Sequence, residues 1–79
     1  NFAKAIKTYE LTISSYPHLS DPYYRLAYIF DAIGEYKKAI QSIEKALKVS
    51  INENVENNKY KSFHAHILSK INQGDPALP

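Results

Sequence analysis

The sequence predicts an all-α fold of antiparallel helical hairpins stacked side by side, and three observations predict it. Apolar residues recur at steps of three and four along four segments, the spacing that places them on one face of a helix. Proline or glycine stands at the breaks, at Pro17, Pro22, Gly34 and Gly74. The chain also matches itself when slid by 34 residues, the mark of a repeated structural unit. No segment shows the alternation expected of a strand.

The first helix is predicted over 2–15, with Phe2, Ala5, Ile6, Tyr9 and Ile13 on one face. Pro17 stops it, because proline has no amide hydrogen to continue the ladder. Ser20-Asp21-Pro22 reads as the next start. Asp21 is placed to cap the free amides and Pro22 suits the first helical position. The second helix, about 12 residues long, presents Tyr23, Leu26, Ala27, Phe30 and Ile33, and Gly34 suits a left-handed terminating residue.

A third helix is predicted over 35–50, with the stripe Tyr36, Ala39, Ile40, Ile43, Ala46 and Leu47. Glu44 and Lys48 stand at i,i+4 in the favourable order on its exposed side. The break after it falls within the polar stretch from Ser50 to Asn58. The fourth helix is predicted over roughly 54–72, with Tyr60, Phe63, His64, Ile67, Leu68 and Ile71 on one side. Gly74 and Pro76 end it, and 75–79 reads as a frayed tail.

Composition bounds the function. Seventy-nine residues make one small domain, and 44% hydrophobic content with 23% charge excludes a disordered chain. No apolar run reaches the ~18–20 residues of a membrane helix, so no membrane partner is expected. The net charge is +2, from nine lysines and one arginine dispersed along the chain rather than gathered on a face, which argues against nucleic acid. Cysteine is absent, so no disulfide, thiol nucleophile or thiolate zinc site is available, and a cytoplasmic or nuclear setting follows. The sequence has no methionine and starts at Asn1, which predicts a processed product or a piece of something longer.

At the offset of 34, Lys4 falls on Lys38, Ala5 on Ala39, Ile6 on Ile40 and Glu10 on Glu44, while Phe2 meets Tyr36, Thr8 meets Ser42 and Ile13 meets Leu47. The first and third helices are therefore equivalent. Tyr23, Leu26, Ala27 and Phe30, then Gly34 and Tyr36, then Ala39, Ile43 and Ala46 follow the residue order of one known repeat, and Ala5, Tyr9 and Pro17 keep its spacing one unit earlier. In these residues the chain resembles the tetratricopeptide repeat family. The resemblance implies a right-handed solenoid of stacked hairpins. It divides the chain into the second helix of a preceding unit (1–17), a complete unit (20–53), a capping helix or degenerate next repeat (54–74) and a tail (75–79). Ile51 stands where the family ends its unit with proline, Thr12 replaces a small alanine, and the register fails beyond residue 53.

The chemistry of a catalyst is not visible. His64 and His66 are two residues apart, so on a helix they diverge rather than converge on a metal. Glu10, Glu44, Glu53 and Glu56 are expected on exposed helix sides or in the connector, Ser14 and Ser15 lack a neighbouring base, and neither glycine belongs to a phosphate loop. No enzyme, metal, cofactor or small-molecule substrate is expected. The informative set is Asp21, Tyr24, Arg25, Tyr28 and Asp31, at steps of three, one, three and three, on a side of the second helix away from Leu26 and Phe30. The resemblance implies that this side lines a concave groove, and tyrosine and arginine are enriched where binding energy concentrates. The same spacing also fits tyrosines that merely pack against a neighbouring unit.

The expected function is protein–protein recognition, as a scaffold or adaptor segment that lays a peptide or partner helix in that groove. Three alternatives stand beside it. One is an internal spacer or oligomerisation segment, with self-association through the exposed first helix. Another is a clamp that holds a chaperone's C-terminal carboxylate through lysine, asparagine and arginine side chains; Arg25 and Tyr28 stand where the resemblance implies asparagine, and Lys59 falls on the following helix, where the register fails. The third is a repeat that binds single-stranded RNA, against which the mixed charge of Asp21, Arg25 and Asp31 argues.

Overall fold

Four helices follow one another: α1 (Phe2–Ser15), α2 (Asp21–Ala32), α3 (Tyr36–Glu53) and α4 (Asn58–Gln73). The computed structural model describes residues 1–73, so Gly74, Pro76 and the 75–79 tail lie outside the described residues. Each helix packs against the next, most extensively α2 on α3, and α4 returns against α3. The arrangement is the stacked-hairpin one, with no strand among the described residues.

The core lies between α2, α3 and α4. Ala27, Ala39, Ile43, Ala46 and Ile67 are fully buried, and Tyr23, Tyr24, Phe30, Tyr36, Ile40, Leu47, Phe63 and Ile71 pack around them. The three alanines let the backbones approach, and the larger side chains fill the space beside them. In contrast, α1 contains no buried residue.

The helix ends show why the boundaries fall where they do. Asn1 caps α1, its side chain accepting from the Lys4 amide at 3.3 Å. Asp21 does not cap α2. Ser20 holds the cap position with helical dihedrals and gives the helix no side-chain cap, while Asp21 sits in the first turn, where its charge complements the free amides. Gly34, at φ +82°, closes α2: its amide reaches Asp31 at 3.1 Å, and the Glu35 amide reaches the Phe30 carbonyl at 2.8 Å. That paired closure is the Schellman pattern.

The same closure recurs at the end of α3. Asn54 takes the left-handed conformation at φ 59°, its amide meets Ile51 at 3.3 Å, and the Val55 amide meets the Ser50 carbonyl at 3.2 Å. With isoleucine in place of a terminating proline at 51, α3 continues to Glu53, three residues past the expected end. The connector then delays α4 to Asn58 rather than 54. Asn57 donates to the Ser50 hydroxyl at 3.2 Å, and the Glu56 carboxylate accepts from the Asn58 amide at 2.7 Å.

Two expectations about acids are corrected. Glu44 pairs with His64 of α4 at 3.3 Å rather than with Lys48, because α4 brings a partner onto that side of α3. Glu53 is not a free exposed group: its Oε1 accepts from the Ser20 amide at 3.0 Å and from the Ser20 hydroxyl at 2.6 Å. Ser20 has spent its only proton there, so the Tyr60 hydroxyl, 2.9 Å away, must donate to it. This chain of bonds ties the start of α2 to the end of α3 and the start of α4.

Candidate partner-binding surface

Helical periodicity places Tyr24, Arg25 and Tyr28 on a side of α2 that α3 does not cover. Asp21 lies one turn before Arg25 and pairs with it at 3.2 Å, with about half of each side chain exposed. The Asp21 hydrogen bond, and then its charge, hold the Arg25 guanidinium even more firmly protonated than usual. Arg25 therefore carries a fixed positive charge, with its direction set by Asp21.

Tyr28 is the most open aromatic of the set, at 59% exposed. It is nevertheless held, since its ring stacks on Phe63 of α4 with centroids 5.5 Å apart and planes 15° from parallel. Tyr24 is half-buried between helices, 5.0 Å from Tyr60 and 5.7 Å edge-on from Phe63. Lys59 places its ammonium 5.1 Å from the Tyr24 ring centre and 5.6 Å from that of Tyr60. Asp31 turns into the α2–α4 junction, where its carboxylate accepts from Lys70 at 3.1 Å and lies 3.5 Å from His66. Lys70 in turn lies 5.7 Å from the Tyr36 ring centre.

The five predicted residues thus divide. Asp21, Arg25 and Tyr28 face outward, whereas Tyr24 and Asp31 make contacts with α4 that hold the surface in shape. A hollow of about 230 Å³ opens beside them, lined by Tyr9, Tyr24, Arg25, Tyr28 and Ile29. Tyr9 comes from α1, and its place in this wall was not anticipated. The available signal was its position: Tyr9 stands 34 residues before the buried Ile43, so a phenol replaces a core aliphatic group. Phe63 and His66, stacked at 5.5 Å, extend the aromatic row on the α4 side. Sequence reasoning missed them because the α4 register does not follow the 34-residue repeat.

Chemically, this surface offers flat aromatic faces, phenol hydroxyls and one well-oriented guanidinium. His64 and His66 engage different carboxylates, Glu44 and Asp31, and no group of three or more metal-binding side chains occurs among the described residues. No helix among the described residues is long and apolar enough to cross a membrane.

Residues 20–50 match the family model of the tetratricopeptide repeat. The match covers α2, the Gly34 turn and most of α3, the elements that share the buried alanines. No curated protein and no solved structure matches the chain.

Proposed function

We propose that this chain, whose residues 20–50 are a tetratricopeptide repeat, binds a partner peptide or helix against the outward side of α2, with Tyr28 and Arg25 as its main contacts. Repeats of this family generally mediate protein–protein interactions and are typically non-catalytic. The observation that carries the finer reading is Tyr28: a large aromatic ring, more than half exposed, yet fixed by stacking on Phe63. A ring already held in place loses little entropy when a ligand covers it. Arg25, oriented by Asp21, lies on the same side, and Lys59 adds a second cation above Tyr24. A ligand with an apolar anchor for the hollow and a carboxylate for these cations fits best. Tyr24 and Asp31 support the surface by fastening α2 to α4.

The test uses peptides selected from a displayed random library against the full chain. Tyr28→Ala should weaken their binding by roughly 1–3 kcal/mol, while the helical circular dichroism signal and the melting temperature change little. Peptides that bind the variant as tightly as the parent would refute this surface. Equal loss of binding and of fold would make Tyr28 a packing residue.

A further inference from the structure

We infer that the cleft between α1 and α3, on the side of α2 opposite Arg25 and Tyr28, is a separate docking site whose ligand is an amphipathic helix of a partner protein with an acidic edge. The cleft shares no residue with the surface of Arg25 and Tyr28, and the inference does not rest on that surface.

α1 and α3 each pack on α2 more than on one another, which leaves a cleft between them with α2 as its floor. The cleft holds about 430 Å³, more than the hollow beside Tyr28. Its floor is apolar, from Ile13, Tyr23, Leu26 and Phe30. Only Leu26 is buried, and the other three are half-buried, so they keep area for a ligand to cover. The rim is charged. Lys38 and Lys45 stand on the α3 wall and Glu10 on the α1 wall, all exposed. Seven residues apart, the two lysines share one stripe of α3 and lie about 10 Å from each other along its axis. The Lys38 ammonium sits 5.7 Å from the centre of the Phe30 ring, which holds it over the floor. The ion pairs among the described residues lie elsewhere, at Asp21–Arg25, at Glu44–His64 and around Asp31, so Lys38, Lys45 and Glu10 have no charged partner there.

Charge decides the edges of the ligand. Both cations stand on one wall, so a ligand with carboxylates along the edge that faces α3 is complementary, and a basic residue on its other edge suits Glu10. The walls decide its backbone. Each is a helix whose main chain is already bonded within itself, so an extended peptide would lay its own amides over Ile13, Tyr23 and Phe30 without partners. A helix arrives with its backbone bonds made, and glutamates at i and i+7 on it repeat the spacing of Lys38 and Lys45. Its apolar face then covers the floor. A second copy of this chain does not supply that pattern. The acids of α1 are Glu10 alone, those of α2 are Asp21 and Asp31, those of α3 are Glu44 and Glu53, and α4 has none, so no helix carries two on one edge at that spacing.

The probe is a displayed library of helical peptides of about 18 residues, with a fixed leucine face and both edges randomised among glutamate, lysine and serine, selected against the full chain. Selected peptides should carry glutamate along one edge. They should bind Lys38→Glu/Lys45→Glu at least about tenfold more weakly than the parent, bind the parent more weakly at 1 M salt, and bind Tyr28→Ala as they bind the parent. Both lysines are exposed, so the double variant should keep the helical circular dichroism signal. The same peptides with lysine at every edge glutamate should bind the double variant in preference to the parent, a reversal that a merely structural role for the two lysines does not produce. Selected peptides without an excess of glutamate, or an affinity unaltered in the double variant, would overturn the inference. Binding that is lost in Tyr28→Ala and kept in the double variant would overturn it too, while leaving the peptide-binding reading of α2 intact. A chain that doubles its mass with concentration, and ceases to in the double variant, would give the cleft to a second copy and overturn the assignment.

Discussion

Ser20→Ala should destabilise this domain far more than loss of one hydroxyl implies, and the reason lies in three atoms. The Ser20 hydroxyl donates to Glu53 at 2.6 Å and accepts from Tyr60 at 2.9 Å, with Ser20 at 1% and Tyr60 at 3% exposure. Removing it deletes a hydrogen bond to a carboxylate, worth roughly 1.5–3 kcal/mol, and strands the Tyr60 hydroxyl in a dry site. Glu53 keeps the residue 20 amide at 3.0 Å, so part of its interaction survives. A net loss of about 2–3 kcal/mol follows. Tyr60→Phe should cost only about 1 kcal/mol, because Ser20 still has Glu53 to donate to. In Ser20→Ala/Tyr60→Phe no hydroxyl is stranded, so the pair should cost about 1 kcal/mol less than the sum of the single changes. A core in a chain this small supplies rarely more than ~3–5 kcal/mol. The four proteins are therefore best compared by urea titration at low temperature with trimethylamine oxide present, read by circular dichroism. Additive effects, or a Ser20→Ala cost below about 0.5 kcal/mol, would refute the bonded chain and the register of α4 that it fixes.

Further outcomes follow from packing, turn geometry and charge. Ala39→Leu, at a fully buried site, should cost ~1–3 kcal/mol, whereas Ala5→Leu at the equivalent but half-covered site on α1 should shift the melting temperature little. Gly34→Ala should lose roughly 1–2 kcal/mol from the positive φ alone, since nothing lies within 4 Å of the added carbon. Asn54→Gly should raise stability by a few tenths of a kcal/mol by relieving the left-handed strain at φ 59°; denaturant midpoints check both turn variants. Asp31→Asn weakens the hold on Lys70 and should loosen α4, seen as faster amide exchange there, with a smaller difference from the parent at 1 M salt.

How much of this was legible in the sequence divides along the range of the interactions concerned. Helix positions, the Gly34 turn, the buried alanines and the equivalence of α1 and α3 are written in near-neighbour spacing and in one unbroken offset, so the sequence alone determined the hairpin fold and the side of α2 that carries Arg25 and Tyr28. The end of α3 and the start of α4 were misplaced because Asn54 takes the left-handed closing position that glycine more often fills, and nothing local distinguishes it from the other asparagines of that stretch. Only the tertiary structure decided which tyrosine is open. Tyr24 and Tyr28 share a spacing and a residue type, and it is the position of Phe63 and Tyr60 on α4 that leaves one half-buried and the other exposed. Likewise, Glu53, Ser20 and Tyr60 meet across separations of 33 and 40 residues. Buried polar groups take whichever partner the packing brings within reach, and that choice is made between helices rather than along the chain.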